Sequence, residues 1–184
     1  MEETERLKNI VNMLGKFKDL KRTGWLKRQV NQPESDAEHS YSLAMLALLL
    51  MPEELDRLRC LELALTHDLA EIYAGDYIPT DNVTPEDKHQ QERSGILKLA
   101  DELNWPQLIE LFDEFESQKT KESIYIKALD KLDNVITARY YDDNHRAPDK
   151  LMSEFSSHAE KCIDAFSGED IKPVSYTHLR AHET

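Results

Sequence analysis

The chain has 184 residues, 40% of them hydrophobic, which provides for the core of one domain and not of two. Charged residues reach 32% while Gly and Pro number only 5 and 7, a balance that favours helices over a β-sandwich. A formal net charge of −13 excludes a long nucleic-acid groove, because phosphate backbones are met by a basic face.

No run approaches the roughly 20 apolar residues of a membrane span. The polar start MEETERLKNIV lacks the form of a signal peptide. A soluble, intracellular, cytoplasmic all-α protein is expected. Cys60 and Cys162 lie about a hundred residues apart without CxxC spacing and are expected to be buried free thiols.

The first predicted helix runs from about Thr4 to Leu20, with Leu7, Ile10, Val11, Leu14 and Phe17 at helical spacing, and a loop begins at Thr23 and Gly24. Around that loop, KFKDLKRTGWLKR (16–28) is locally basic, with Asp19 its one acid. Such a run is either a solvated face or a holder for a small anion. A second helix begins after PESDAEHS, where Ser35 and Glu38 have capping-box spacing, and continues to Pro52. It is apolar almost all round and is therefore expected to be central.

A third helix is expected from about Leu58 to Ala74, stopping at Gly75. The fourth opens with Thr84 as cap and Pro85 at its first position and ends before NWP at 104–106. A short fifth covers Gln107 to Glu116, an amphipathic sixth runs from about Lys121 to Tyr141, and a seventh follows Ala147.

Charge sits in odd places on these helices. Leu61, Leu65, Asp68 and Ile72 are related by steps of three and four, which puts Asp68 in the apolar stripe, with His67 and Glu71 on the adjoining face. A buried carboxylate without a partner costs several kcal/mol, so an Arg, a Lys or a metal must meet Asp68. His39 lies on the line of Leu43, Leu46 and Leu50 and points inward, as either a hydrogen-bonded core residue or a ligand. In ALDKLDN, Asp130 and Asp133 border the apolar set Ala128, Leu129, Leu132 and Val135. Three helices thus offer a mixed imidazole and carboxylate set suited to a divalent cation such as Mn, Co, Mg, Fe or Zn. His89, His145 and His158 stand in polar contexts and are expected on the surface.

The order His39, then His67 with Asp68, then Asp130, in a helical chain, resembles the HD-domain metal-dependent phosphohydrolases. With RTGWLKR, ESDAEHSY, ALTHDLAEIYAGD and ALDKLDN as context, residues 7–166 resemble the small HD-domain 5′-deoxynucleotidases. The resemblance implies a compact HD-domain helical bundle, a divalent metal, a homodimer, and hydrolysis of deoxyribonucleoside 5′-monophosphates to deoxynucleoside and phosphate. It implies His39, His67, Asp68 and Asp130 as metal ligands, Glu71 at the attacking water or a second metal, and Asp76 near the sugar or that metal. Arg22 and Trp25 fall where the family has substrate contacts, but two residues separate them here, which leaves Arg28 as an alternative phosphate contact. Trp25 either stacks on substrate or packs.

Other members of the superfamily hydrolyse guanosine alarmones or cyclic nucleotides, carry di-iron oxygenase chemistry, or serve as ligand-sensing modules. The retained ligand set argues against the last. One domain is expected over 1–168. Residues 169–184 form a tail expected to be disordered, whose end VSYTHLRAHET (174–184) has His178 and His182 but no apolar face and reads as a cloning or sequencing artefact.

Overall fold

In the computed structural model, which describes residues 3–76 and 84–155, eight helices follow one another with no named strand among the described residues. They are α1 (Glu3–Asp19), α2 (Thr23–Lys27), α3 (Asp36–Leu50), α4 (Arg57–Thr66), α5 (Glu71–Ala74), α6 (Pro85–Leu103), α7 (Gln107–Ser117) and α8 (Lys121–Asp143). The expected all-α bundle is what the chain forms. A helical turn over 152–155 reaches the end of the described residues, where a seventh helix was expected. Cys162, His158 and the tail from 169 lie outside them.

Local chemistry explains where the helices start and stop. Ser35 and Glu38 exchange side-chain and backbone hydrogen bonds in a complete capping box, and Thr84 and Thr120 accept from the backbone N–H groups of Asp87 and Ser123. Asn104 and Gln118, in left-handed conformation, close α6 and α7.

Two packed cores flank the site. One joins α3, α4, α7 and α8 through Leu43, Ala47, Leu63, Phe115, Ile126 and Leu129. The other joins α1, α6, α7 and the 69–70 turn through Phe17, Leu69, Ala70, Ile96, Leu99 and Phe112. Cys60 is buried in the first, as expected, and burial pushes its thiol up to about 12.

Three expectations are corrected. The helix expected over 58–74 breaks after Thr66, because Thr66 Oγ1 donates to Glu62 O and the backbone then tightens into three-residue turns, Leu69 N to Thr66 O and Glu71 N to Asp68 O. The stripe through Leu61 and Leu65 is therefore not the buried one, which runs instead through Cys60, Leu63 and Ala64. Residues 23–27, expected as loop, form the single-turn α2. Neither α1 nor α3 is buried all along its apolar positions: Leu7, Val11 and Leu14 are exposed on α1, and Tyr41 and Leu49 on α3. Helix α1 is held by an edge, with Arg6 Nε donating to Leu103 O and Asn9 Nδ2 to Glu102 O.

Candidate metal and phosphate site

The break in the 58–74 segment is what builds the site. In a continuous helix His67, Asp68 and Glu71 would be spread by 100° per residue, whereas the tight turn at 66–71 brings all three against α3 and α8. Close approach of α6 supports the turn: a Cβ on Gly95 would stand 2.7 Å from Ala70 O, so only glycine lets the two backbones meet.

His39, fully buried on α3, faces His67 across 3.3 Å between their Nε2 atoms. His39 Nδ1 donates to Asp133 Oδ2 at 2.7 Å, and His67 Nδ1 donates to Ala64 O at 3.0 Å. Both acceptors take a hydrogen bond from Nδ1, which leaves the two facing Nε2 atoms as the ring positions that meet a cation or, without one, a proton. Two facing lone pairs repel unless a cation or a proton lies between them. Asp130 Oδ1 stands 3.2 Å from His39 Nε2, and Asp68 Oδ2 stands 3.0 Å from His67 Nε2 and 3.9 Å from His39 Nε2. Donor atoms of His39, His67 and Asp130 all lie within 4.8 Å of one another. A divalent cation fits this set, with each imidazole oriented through its other nitrogen as metal-bound histidines are. His39, His67 and Asp130 thus form one group, and Asp68 adjoins both histidines from its side.

The electrostatics follow from this crowding. Burial and Arg22 lower the affinity of His39 for a proton, but its bonds to Asp130 and Asp133 and the charge of Asp68 outweigh them and raise its pKa to about 10. Burial pushes Asp130 up, yet His39, His67 and Lys127 bring it down to about 2. Asp68 is likewise held well below the usual carboxylate range, with His67 and Arg22 overcoming burial. Glu71 goes the other way: buried beside Asp68, Asp76 and Asp36, its carboxyl is raised well above its usual value.

Arg22 sits among these acids. Its Nη1 donates to Asp68 Oδ2 at 3.0 Å and lies 3.7 Å from Asp36 Oδ1, and its Nη2 reaches Asn134 Oδ1 at 3.3 Å. Asp76, just past Gly75 (φ 87°), accepts from Thr23 N at 2.5 Å and so ties the end of α5 to the start of α2.

The remaining two candidates are placed elsewhere. Trp25 is 2% exposed, edge-on to Tyr141 at 5.3 Å, with its Nε1 donating to Glu34 Oε1. Its ring packs, and no face is left for a base to stack on. Arg28 turns to Glu154, donating from Nε at 2.8 Å, and lies over the Phe155 ring. Of the two arginines, Arg22 is the one brought to the cluster.

Several participants escaped the sequence reading. Asp133 carries His39 and is buried, although a border position on an amphipathic helix reads as surface. Asp36 is fully buried at the start of α3, with both carboxylate oxygens lacking a hydrogen-bond partner among the described residues. Burial and Asp68 raise it to about 7. Its spacing of three from His39 was the available signal, since that puts both on one helix face. His89 keeps a partly exposed side chain, as expected at the surface, and also lines the cavity beside the cluster, its ring stacked at 6.0 Å on Phe112. His145 is exposed, as expected.

Comparison with known proteins agrees with this architecture. Residues 14–169 match the HD domain family. The 5′-deoxynucleotidase HDDC2 of Bos taurus is 37% identical over 158 residues, spanning 84% of this chain and 77% of that protein. The human protein of the same name is 35% identical, spanning 84% and 78%. A solved structure of a conserved hypothetical protein from Pyrococcus furiosus superposes with a TM-score of 0.70 at 32% identity, covering 90% of this chain and 91% of that one.

Proposed function

Because the chain belongs to the HD-domain family, we propose that it is a metal-dependent 5′-deoxynucleotidase, hydrolysing deoxyribonucleoside 5′-monophosphates to deoxynucleoside and phosphate. The observation that carries the reading is the pair of facing imidazole Nε2 atoms of His39 and His67, closed by Asp68 and Asp130 and backed by Arg22. His39, His67, Asp68 and Asp130 would hold the cation, which when bound supplies Lewis acidity toward water and phosphoryl oxygen. Mn, Co, Mg, Fe and Zn all accept such a mixed donor set.

The protein's own groups do the rest. Glu71, buried on the cavity wall beside Asp68, takes the proton of the attacking water in its carboxylate form. Arg22, kept charged by four carboxylates despite burial, holds a non-bridging phosphoryl oxygen through its planar fork. Asp76, fixed by Thr23 N, faces the sugar. Trp25 contributes by shaping the floor beneath α2, and Arg28 braces Glu154.

Phosphate release from a panel of dNMPs, rNMPs and simple phosphomonoesters, each with several divalent metals, tests this reading. Release from dNMPs is expected, and its absence under every metal overturns the proposal.

The same reading includes a homodimer, supported by Tyr41, Leu49 and Tyr140, which leave apolar area exposed on α3 and α8. Sedimentation of the purified chain checks it. No helix among the described residues is long and apolar enough to cross a membrane. A cytoplasmic location is proposed because nucleotide dianions do not cross bilayers, and fractionation tests it. One HD domain over 1–168, with an appended tail, completes the proposal. Limited proteolysis with mass analysis tests that boundary.

A further inference from the structure

A cavity of about 260 Å3 opens beside the cluster, with Asp68, Glu71, Glu92, Lys88 and Lys127 among its walls. It is smaller than the roughly 300–1,000 Å3 of pockets that bury a whole drug-sized ligand, a scale suited to the phosphoryl and sugar end of a nucleotide. Its walls carry the carboxylates of Asp68, Glu71, Glu92 and Glu116, which oppose entry of a dianion. Arg22 does not line it among the described residues but touches Asp68, which does, so a phosphate held by Arg22 at one oxygen needs a further cation on the side that faces this cavity.

Of the two lysines, Lys127 is engaged: its Nζ lies 4.5 Å above the Phe115 ring and 3.8 Å from Asp130 Oδ2. Lys88, on the first turns of α6, is held differently. Its Nζ pairs with Glu92 Oε1 at 3.2 Å, one turn along, while its side chain remains 38% exposed. An ordinary pair at this spacing leaves both groups in water and contributes about 0.3–0.5 kcal/mol. Here Glu92 is only 8% exposed, an uncommon state for a glutamate, so the acid anchors the lysine from within. An ammonium has three N–H donors and Glu92 Oε1 takes one, leaving two for a ligand in the cavity that Lys88 lines. Glu71 and Asp68 add to the pull of Glu92 and keep the ammonium charged.

We propose that Lys88 is a phosphate-binding residue, donating from Nζ to a non-bridging oxygen of the nucleoside 5′-monophosphate in this cavity, and that buried Glu92 positions it. The assignment rests on the nucleotidase reading for the identity of the ester and on the cavity for the phosphate contact.

The test uses the full, metal-loaded chain and the variants Lys88→Met, Lys88→Arg and Glu92→Gln. It measures kcat and KM for a dNMP, inhibition by inorganic phosphate, bound metal, and the rise in Tm caused by phosphate. Lys88→Met is expected to raise KM and the phosphate inhibition constant about tenfold, to shrink the phosphate-dependent Tm rise, and to leave bound metal unchanged. Lys88→Arg should restore most of the loss, and Glu92→Gln should fall between. If Lys88→Met lowers Tm but leaves KM and phosphate binding within about twofold of wild type, the pair is a helix brace and the proposal fails. Should Lys88→Met not fold, an unchanged KM in Glu92→Gln together with unchanged phosphate inhibition overturns it. A wild type that binds phosphate through Lys88 but hydrolyses no dNMP sinks the nucleotidase reading and leaves the lysine assignment standing. A wild type that hydrolyses dNMPs with no dependence on Lys88 does the reverse.

Discussion

His39 Nδ1 donates to Asp133 Oδ2 at 2.7 Å, with both side chains buried, and this bond turns the other ring nitrogen of His39 toward His67. Removing the acceptor frees the ring to rotate and to change tautomer. Asp133→Ala is therefore expected to weaken metal affinity about 10- to 100-fold, as loss of a partner behind a ligand does. Asp133→Asn should cost less, since its carbonyl oxygen still accepts from Nδ1. Metal titration of the two variants checks the order; equal affinities for wild type and Asp133→Ala would show that the bond does not hold the ring.

Asp68 and Glu71 are separated by their partners. Asp68 touches His67 and Arg22, while a buried Glu71 oxygen has no hydrogen bond among the described residues. Asp68→Ala should abolish metal content and activity together. Glu71→Ala should retain the metal held by His39, His67 and Asp130 and lower kcat by about 10²- to 10⁴-fold, the range for a lost general base. Metal analysis decides, because a metal-free Glu71→Ala protein makes Glu71 a primary ligand.

Gly95→Ala sets two effects against each other. Alanine is better than glycine in a helix by about 1 kcal/mol. Its Cβ, however, would stand 2.7 Å from the carbonyl oxygen of Ala70 and 3.3 Å from Tyr73 Cβ, and a backbone atom cannot swing aside. Overpacking of this kind costs about 1–3 kcal/mol and should win. A lower Tm is expected, with reduced activity because Ala70 adjoins Glu71. A raised Tm would mean the turn yields freely.

Cys60 is buried on the inner face of α4, and desolvation raises its thiol to about 12. In a Cys162→Ser background it should resist a thiol reagent at pH 8 in the native state and react fully in denaturant. Rapid native labelling would show that this core opens on the timescale of the reaction.

Much of the site was legible in single residues. Asp68 and His39 stood out because an acid and an imidazole occupied apolar lines, and burial of an unpaired charge is too costly to be accidental. Capping chemistry made the starts of α3 and α6 readable, since a side chain three residues from its partner N–H is a local matter. Asp133 and Asp36 were not legible in that way. Each is an acid at the edge of an apolar face, and only the packing of α3 against α8 decides which acid is enclosed.

The sequence by itself determined the helical class, the caps of α3 and α6, the imidazole and carboxylate groups that face inward and the family, all of which depend on residue type and short spacing. Tertiary structure alone decided that the 58–74 segment breaks at Thr66, that Arg22 rather than Arg28 meets Asp68, and that Trp25 packs instead of facing substrate. Those choices turn on contacts between residues dozens of positions apart. Arg22 reaches Asp68 across 46 residues and Asn134 across 112, and no local periodicity encodes which distant partner a long, flexible side chain will find.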